Sequence, residues 1–176
     1  MPKSRPLIFT VTRAPGERSR GVLRGLGLTI PVALGRAGIT ANKREGDGAT
    51  PRGRFRLRRL WWRNDRMPRP QTALPLRPIR SGDAWCEDAA DRRYNQPIRL
   101  AADAPGDRLW REDHLYDLII ELDHNTRPRI SGRGSAVFIH LARPQFLPTA
   151  GCVALKGEDL HHLLTRLRKN TLIEIR

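Results

Sequence analysis

Two residues offer the chemistry most readily. Cys152 lies in Pro148-Thr-Ala-Gly-Cys-Val-Ala-Leu155, directly after Gly151. A glycine there lets the backbone turn sharply and leaves room for a substrate carbonyl near the amides of Gly151 and Cys152. Two amides aimed at one point can form an oxyanion hole. A cysteine needs a partner to act as thiolate near neutral pH, and histidine is the usual one. His140, in the apolar run Ala136–Ala142, precedes the Cys152 turn. A strand, a loop and a second strand could set the two side by side. The same residues also fit a small buried core cysteine and a hydrogen-bonded core histidine. Spacing alone favours this second reading.

The other candidates carry less. Cys86 has no comparable turn around it, and no CxxC pair exists, so neither a zinc knuckle nor a thioredoxin-like motif is available. One disulfide is formally open to the two cysteines, but nothing in the sequence argues for it. His161 and His162 are adjacent on a helix and point apart. His114 and His124 flank a strand and suit the surface. No HExxH occurs, and neither Gly25-Leu-Gly27 nor Gly132-Arg-Gly134 opens a helix after a strand as a nucleotide fingerprint does.

The elements that must position these residues are mostly strands. Leu7–Arg13, Leu115–Asp123, Ala136–Ala142 and Thr171–Arg176 read as strands. Gly21–Gly35 reads as a strand pair or one bent strand. In Arg52–Trp62, Arg52, Arg54, Arg56 and Arg58 alternate with Gly53, Phe55 and Leu57. Period two makes this a strand with one basic and one apolar face. Thr149–Lys156 is a turn running into a strand. Ala41–Pro51 is a polar loop, and Arg63–Pro97 is loop-rich with a short strand at Leu74–Ile79. The one clear helix spans about 158–168, with Leu160, Leu163, Leu164 and Leu167 on one face, acids in its first turn and bases at its end. Many strands and one helix predict a mainly β barrel or sandwich.

The 176 residues suit a single domain over 1–176, large enough to bury a core. A formal net charge of +15, almost all of it arginine, attracts polyanions, anionic membrane or a carboxylate-bearing substrate. An arginine-biased genome would produce the same composition. From Met1 to Arg13 there is no apolar signal region, and no run is long enough to span a bilayer. The expectation is a cytoplasmic protein without a membrane segment, or a periplasmic one if a leader has been removed. Oligomeric state is not legible.

Family resemblance tips the balance between the two readings of Cys152. The pattern from His140 through Thr149-Ala-Gly-Cys-Val153 resembles the signature of the L,D-transpeptidase catalytic domain, the YkuD type. Lys43-Arg-Glu-Gly-Asp-Gly-Ala-Thr-Pro-Arg-Gly-Arg-Phe55 is similar to the family's TPxGxF segment, in a compact branch with a GDGATP loop. The resemblance implies Cys152 as acyl-accepting nucleophile, His140 as base and Gly151 as the glycine of the oxyanion turn, on a mainly β fold. It implies peptidoglycan stem peptides or muropeptides as partners, with no metal or organic cofactor. The bond attacked would join a diamino acid to a terminal D-alanine, through a thioester on Cys152. Water as acceptor makes an L,D-carboxypeptidase; an amine makes a crosslinking transpeptidase. Two positions depart from the family pattern: Ala150 replaces the usual second histidine, and Ala154 replaces an arginine. Arg143 could supply positive charge to the substrate, and Tyr94 and Asn95 could line the cleft. The alternative is a basic nucleic-acid-binding β domain without catalysis, in which the arginine face would contact phosphates with Phe55 and Trp61 nearby to stack bases. No nucleic acid is expected on the enzyme reading.

Overall fold

The computed structural model describes residues 5–176; Met1–Ser4, part of the basic amino-terminal stretch, lie outside the described residues. Eight strands close into a barrel: β1 (Ile8–Arg13), β2 (Arg20–Gly25), β3 (Leu28–Ala33), β6 (Gly53–Trp62), β11 (Leu118–Leu122), β12 (Phe138–Leu141), β13 (Val153–Leu155) and β14 (Leu172–Ile175). Their order is β11-β12-β13-β3-β2-β1-β14-β6, and β6 pairs back onto β11. Closure removes the exposed edges that an open sheet would present. A short β7 (Leu76–Pro78) adds to β6 in parallel. β2 and β3 form a hairpin through Leu26-Gly27, both at positive φ as a tight two-residue turn requires. Gly21–Gly35 is thus a strand pair rather than one bent strand, and β3 runs unbroken through Pro31.

Alternation fills the barrel. Phe9, Val11, Leu23, Ile30, Val32, Leu57, Ile120, Ile139, Val153 and Ile173 point inward. The helix α1 (Gly157–Arg166) lays Leu160, Leu163 and Leu164 into the same core, with Leu167 just beyond its end. Each such leucine contributes about 1.5–3 kcal/mol of burial. The expected helix of 158–168 thus stops two residues early.

The next residues along each strand face outward, and here the simple two-faced strand pattern fails. Trp61, Ile119, Phe138 and Cys152 build a second core on the outer face of the barrel. It is covered by a small antiparallel sheet of β8 (Asp83–Trp85), β9 (Pro97–Arg99) and β10 (Asp107–Arg108), in the order β10-β8-β9. Trp85 stacks edge-on to both Trp61 and Phe138, with ring centroids 6.4 and 5.0 Å apart. This small sheet occupies and follows the stretch read as loop-rich. Two more short strands, β4 (Ile39–Thr40) and β5 (Thr50–Pro51), pair in parallel around the polar loop. Arg52, Arg54, Arg56 and Arg58 are exposed as their spacing predicts. Trp61 is fully buried, so it cannot stack a base beside them. Arg54 is also paired with Glu174 at 2.8 Å and Arg58 with Glu121 at 3.4 Å. No described helix is long and apolar enough to cross a membrane.

Candidate active site

β12 and β13 run parallel, with Ile139 opposite Val153 and His140 opposite Ala154. Paired residues of a sheet share a face, and side chains two apart on one strand share it too. Cys152 lies level with Phe138, whose amide donates to the Cys152 Sγ at 3.4 Å. His140 therefore stands on the same outer face as Cys152, one step along. Both line a cavity of about 640 Å³.

The turn before Cys152 is held by backbone fit. Gly151 has φ of +147°, and a Cβ there would sit 2.8 Å from the Ala49 carbonyl oxygen. Thr149 is fastened on both sides: its amide donates to Leu34 O at 2.9 Å and its carbonyl accepts from the Arg36 amide at 3.0 Å. At Gly35, a Cβ would lie 2.4 Å from Gly48 O. The Asp47 carboxylate folds the loop beneath, accepting from the Arg44 amide at 2.8 Å, the Ala49 amide at 2.9 Å and the Lys43 ammonium. The polar loop and the cysteine turn, far apart in sequence, are thus one backbone-packed unit. Lys43, itself buried, brings its ammonium to 3.7 Å from where a Cβ on Gly151 would stand.

One expectation meets a different geometry. The Gly151 amide donates to Thr149 Oγ1 at 3.1 Å, while that hydroxyl donates to Cys152 O at 2.7 Å. The Gly151 N–H is thus engaged in the turn rather than aimed at a carbonyl.

His140 is 6% exposed. Its Nδ1 lies 2.8 Å from Leu141 O. A carbonyl only accepts, so Nδ1 carries the hydrogen and Nε2 keeps the basic lone pair. Tyr116 packs edge-on to the ring at 5.3 Å, and Arg111 lies over Tyr116 at 4.9 Å. Burial pushes His140 down to about 4, with Arg111 and Arg143 adding to the fall against the Leu141 hydrogen bond. Burial likewise pushes Cys152 up to about 12, aided by Asp107 and Glu87 and opposed by the Phe138 amide and Lys43. The thiol donates to Ala136 O at 3.2 Å. Both shifts favour a neutral thiol and a neutral imidazole at rest.

Arg143 lines the cavity at its exposed rim. Tyr94 and Asn95 do not line it: they are buried behind its wall, 3% and 6% exposed. The Tyr94 hydroxyl donates to Glu45 and accepts from the Gly134 amide at 3.0 Å. Asn95 Oδ1 accepts from Trp85 Nε1 at 3.0 Å and from the Ala136 amide at 3.2 Å. Their polar groups satisfy buried backbone and hold Glu45 and Ala136 in the wall. His114 is exposed and bonded to Asp117, His124 bonds Arg133 O, and His161 and His162 are exposed on α1. Cys86 is buried and, like Cys152, free. Among the described residues, no group of three metal-ligating side chains is present.

Sequence reasoning did not single out Arg36, Glu45, Glu87, Asp107, Arg111 and Tyr116, which all face the cavity. Glu45 directly precedes the GDGATP segment, where a signal existed. Glu87, Asp107 and Arg111 lie in irregular sequence that carries none.

The sequence profile of the L,D-transpeptidase catalytic domain, YkuD, matches residues 20–175. Comparisons with curated proteins and with solved structures found no match.

Proposed function

Because this chain belongs to the L,D-transpeptidase catalytic-domain family, a cysteine-dependent peptidoglycan enzyme family, we propose that it performs acyl transfer on stem peptides through a Cys152 thioester. The observation that carries this is the placement of Cys152 and His140 on one face of adjacent parallel strands, in a cavity of peptide size. The thiol leaves Ala136 O and passes its proton to His140 Nε2 as sulfur attacks the carbonyl between the diamino acid and D-alanine. The Cys152 amide is the first donor available to the resulting oxyanion, because Gly151's is engaged. As the tetrahedral intermediate collapses, His140 returns the proton to the departing D-alanine amine, leaving a thioester. Water or an amine then gives its proton to His140 and attacks, and sulfur leaves and is reprotonated.

Neutral partners suit this sequence, since Cys152 and His140 begin and end the cycle uncharged, with His140 an imidazolium only while a tetrahedral oxyanion is present to balance it. Arg36, Lys43 and Arg143 give the cavity cations for a peptide's carboxylates. With tetrapeptide as sole substrate, water is the acceptor, so the expected products are tripeptide and free D-alanine. Mass spectrometry of a disaccharide-tetrapeptide digest tests this. No loss of D-alanine from any tetrapeptide stem refutes the activity, and a dominant crosslinked dimer makes the acceptor an amine.

A further inference from the structure

We propose that Glu87 and Asp107 form a subsite for a primary ammonium group of the peptide substrate, facing Cys152 across the cavity. This rests on the cavity being a stem-peptide site. Asp107 pairs with Trp85 across β10 and β8, and Glu87 follows two residues after Trp85, so one end of the small sheet brings both carboxylates to the cavity.

What sets the pair apart is that both carboxylates face the cavity without a close cation. The chain has 33 lysines and arginines against 18 acids. Even so, Glu87 makes no hydrogen bond or ion pair with any described residue; its electrostatic neighbours are Asp107 and Glu45, both of like sign. The nearest cation to Asp107 is Arg111, at 4.0 Å. That guanidinium is committed to Asp113, with contacts of 2.5 and 2.9 Å. Several other carboxylates carry a close cation, as Asp65 with Arg63 at 2.7 Å and Asp117 with Arg66 at 2.6 Å. Glu17, Asp103 and Glu158 carry none among the described residues, but they are exposed and outside this cavity. In so basic a protein, a carboxylate pair lacking a close cation is a gap for one from outside.

A second observation points to a ligand in the same cavity. His140, nine-tenths buried, bonds through Nδ1 only, and its Nε2 has no described partner. The cavity therefore presents an open acceptor and an anionic wall to whatever enters it. A diamino acid supplies a match: its second amine is a cation with three donors, enough for two carboxylates.

The electrostatics agree. Burial raises Asp107 to about 6, against Arg111; burial, then Asp107 and Glu45, raise Glu87 to about 7, although its exposed rim position lets water screen part of this. An ammonium between them restores both to the ionised form. The same two carboxylates raise the Cys152 thiol. Neutralising them lowers it, so a correct ligand eases removal of the thiol proton.

The ammonium could belong to the donor stem or to an acceptor amine. In the first arm, tetrapeptides with a free, dimethylated or acetylated side-chain amine are hydrolysed by the wild type and by Glu87→Gln/Asp107→Asn. Charge-assisted hydrogen bonds predict that acetylation raises KM about tenfold or more, and that dimethylation, which keeps the charge, does so by less than about threefold. The double variant should lose most of the discrimination. In the second arm, the donor is acetylated and lysine amide is the acceptor; saturable transfer that the variant loses assigns the subsite to the acceptor. Equal handling of all amines in both arms, equal loss on dimethylation and acetylation, or undiminished discrimination in the variant overturns the subsite while leaving acyl transfer standing. If no tetrapeptide turns over, acyl transfer fails instead. The subsite is then judged by 1,5-diaminopentane, which should speed alkylation of Cys152 at pH 8 in the wild type but not in the variant. No acceleration overturns it. Glu87→Gln alone, at an exposed position, serves if the double variant does not fold.

Discussion

A papain-like site would rest as thiolate and imidazolium; the pair here should not, and a pH titration distinguishes the two. His140 lies at about 4 and Cys152 at about 12. Each unit of that gap is about 1.4 kcal/mol, so moving the proton from sulfur to nitrogen costs on the order of 10 kcal/mol before the two charges attract. Even if the two side chains came into contact, attraction at an effective dielectric of about 20 would return at most about 4 kcal/mol. The ion pair should then be present in far fewer than one molecule in about a thousand at rest. The assay is alkylation by iodoacetamide across pH 5–10 in a Cys86→Ala background, followed by intact mass, with thiolate absorbance at 240 nm in parallel. The expected rate rises about tenfold per pH unit through neutrality with no plateau. His140→Gln should leave that slope unchanged while slowing turnover by about 10²–10⁴-fold, because the imidazole is needed when the proton moves and not to hold a thiolate beforehand. A plateau between pH 5 and 8 that His140→Gln abolishes, or thiolate absorbance at pH 7, would refute the neutral pair.

Further outcomes follow from the same geometry. The folded pKa of His140 lies below its unfolded value of 6.5, so its contribution to stability is complete above pH 6.5 and is lost as pH falls to about 4. That loss is about 3 kcal/mol, and denaturant titrations of wild type against His140→Gln over this window should differ by roughly that amount. Gly151→Ala forces a Cβ to within 2.8 Å of Ala49 O at φ +147°; unfolding should show a loss of about 1–3 kcal/mol, and turnover should fall with it. Cys152→Ala should end all activity and Cys86→Ala should keep most of it; equal losses in folded protein would reassign the nucleophile. A carbapenem should add once to the wild type and not to Cys152→Ala, as read by intact mass.

The barrel was legible wherever burial on one side gave a sequence period. Arg54, Arg56 and Arg58 alternate with Phe55 and Leu57 because that part of β6 has water on one face. The leucines of α1 repeat at helical spacing for the same reason. The pattern fades where both faces are covered: Trp61, Trp62 and Arg63 are all buried, since the small sheet roofs the outer side. The strands of that sheet are two or three residues long, too short to show any period, and are ordered by packing against Trp61 and Phe138.

The same distinction separates the site residues that could be read from those that could not. Cys152 and Gly151 sit in a turn whose backbone demands particular residue types locally, and the Asp47 loop that supports it is equally self-contained. Tyr94 and Asn95 looked like cleft residues because their polarity stood out in irregular sequence. Polarity records a need for partners, and theirs are Glu45, Trp85 and the Ala136 amide inside the wall. Glu87 and Asp107 show the converse, for their neighbours in sequence give no sign that they face a cavity. What makes them candidates is the missing cation, and a missing partner is visible only once the chain is folded.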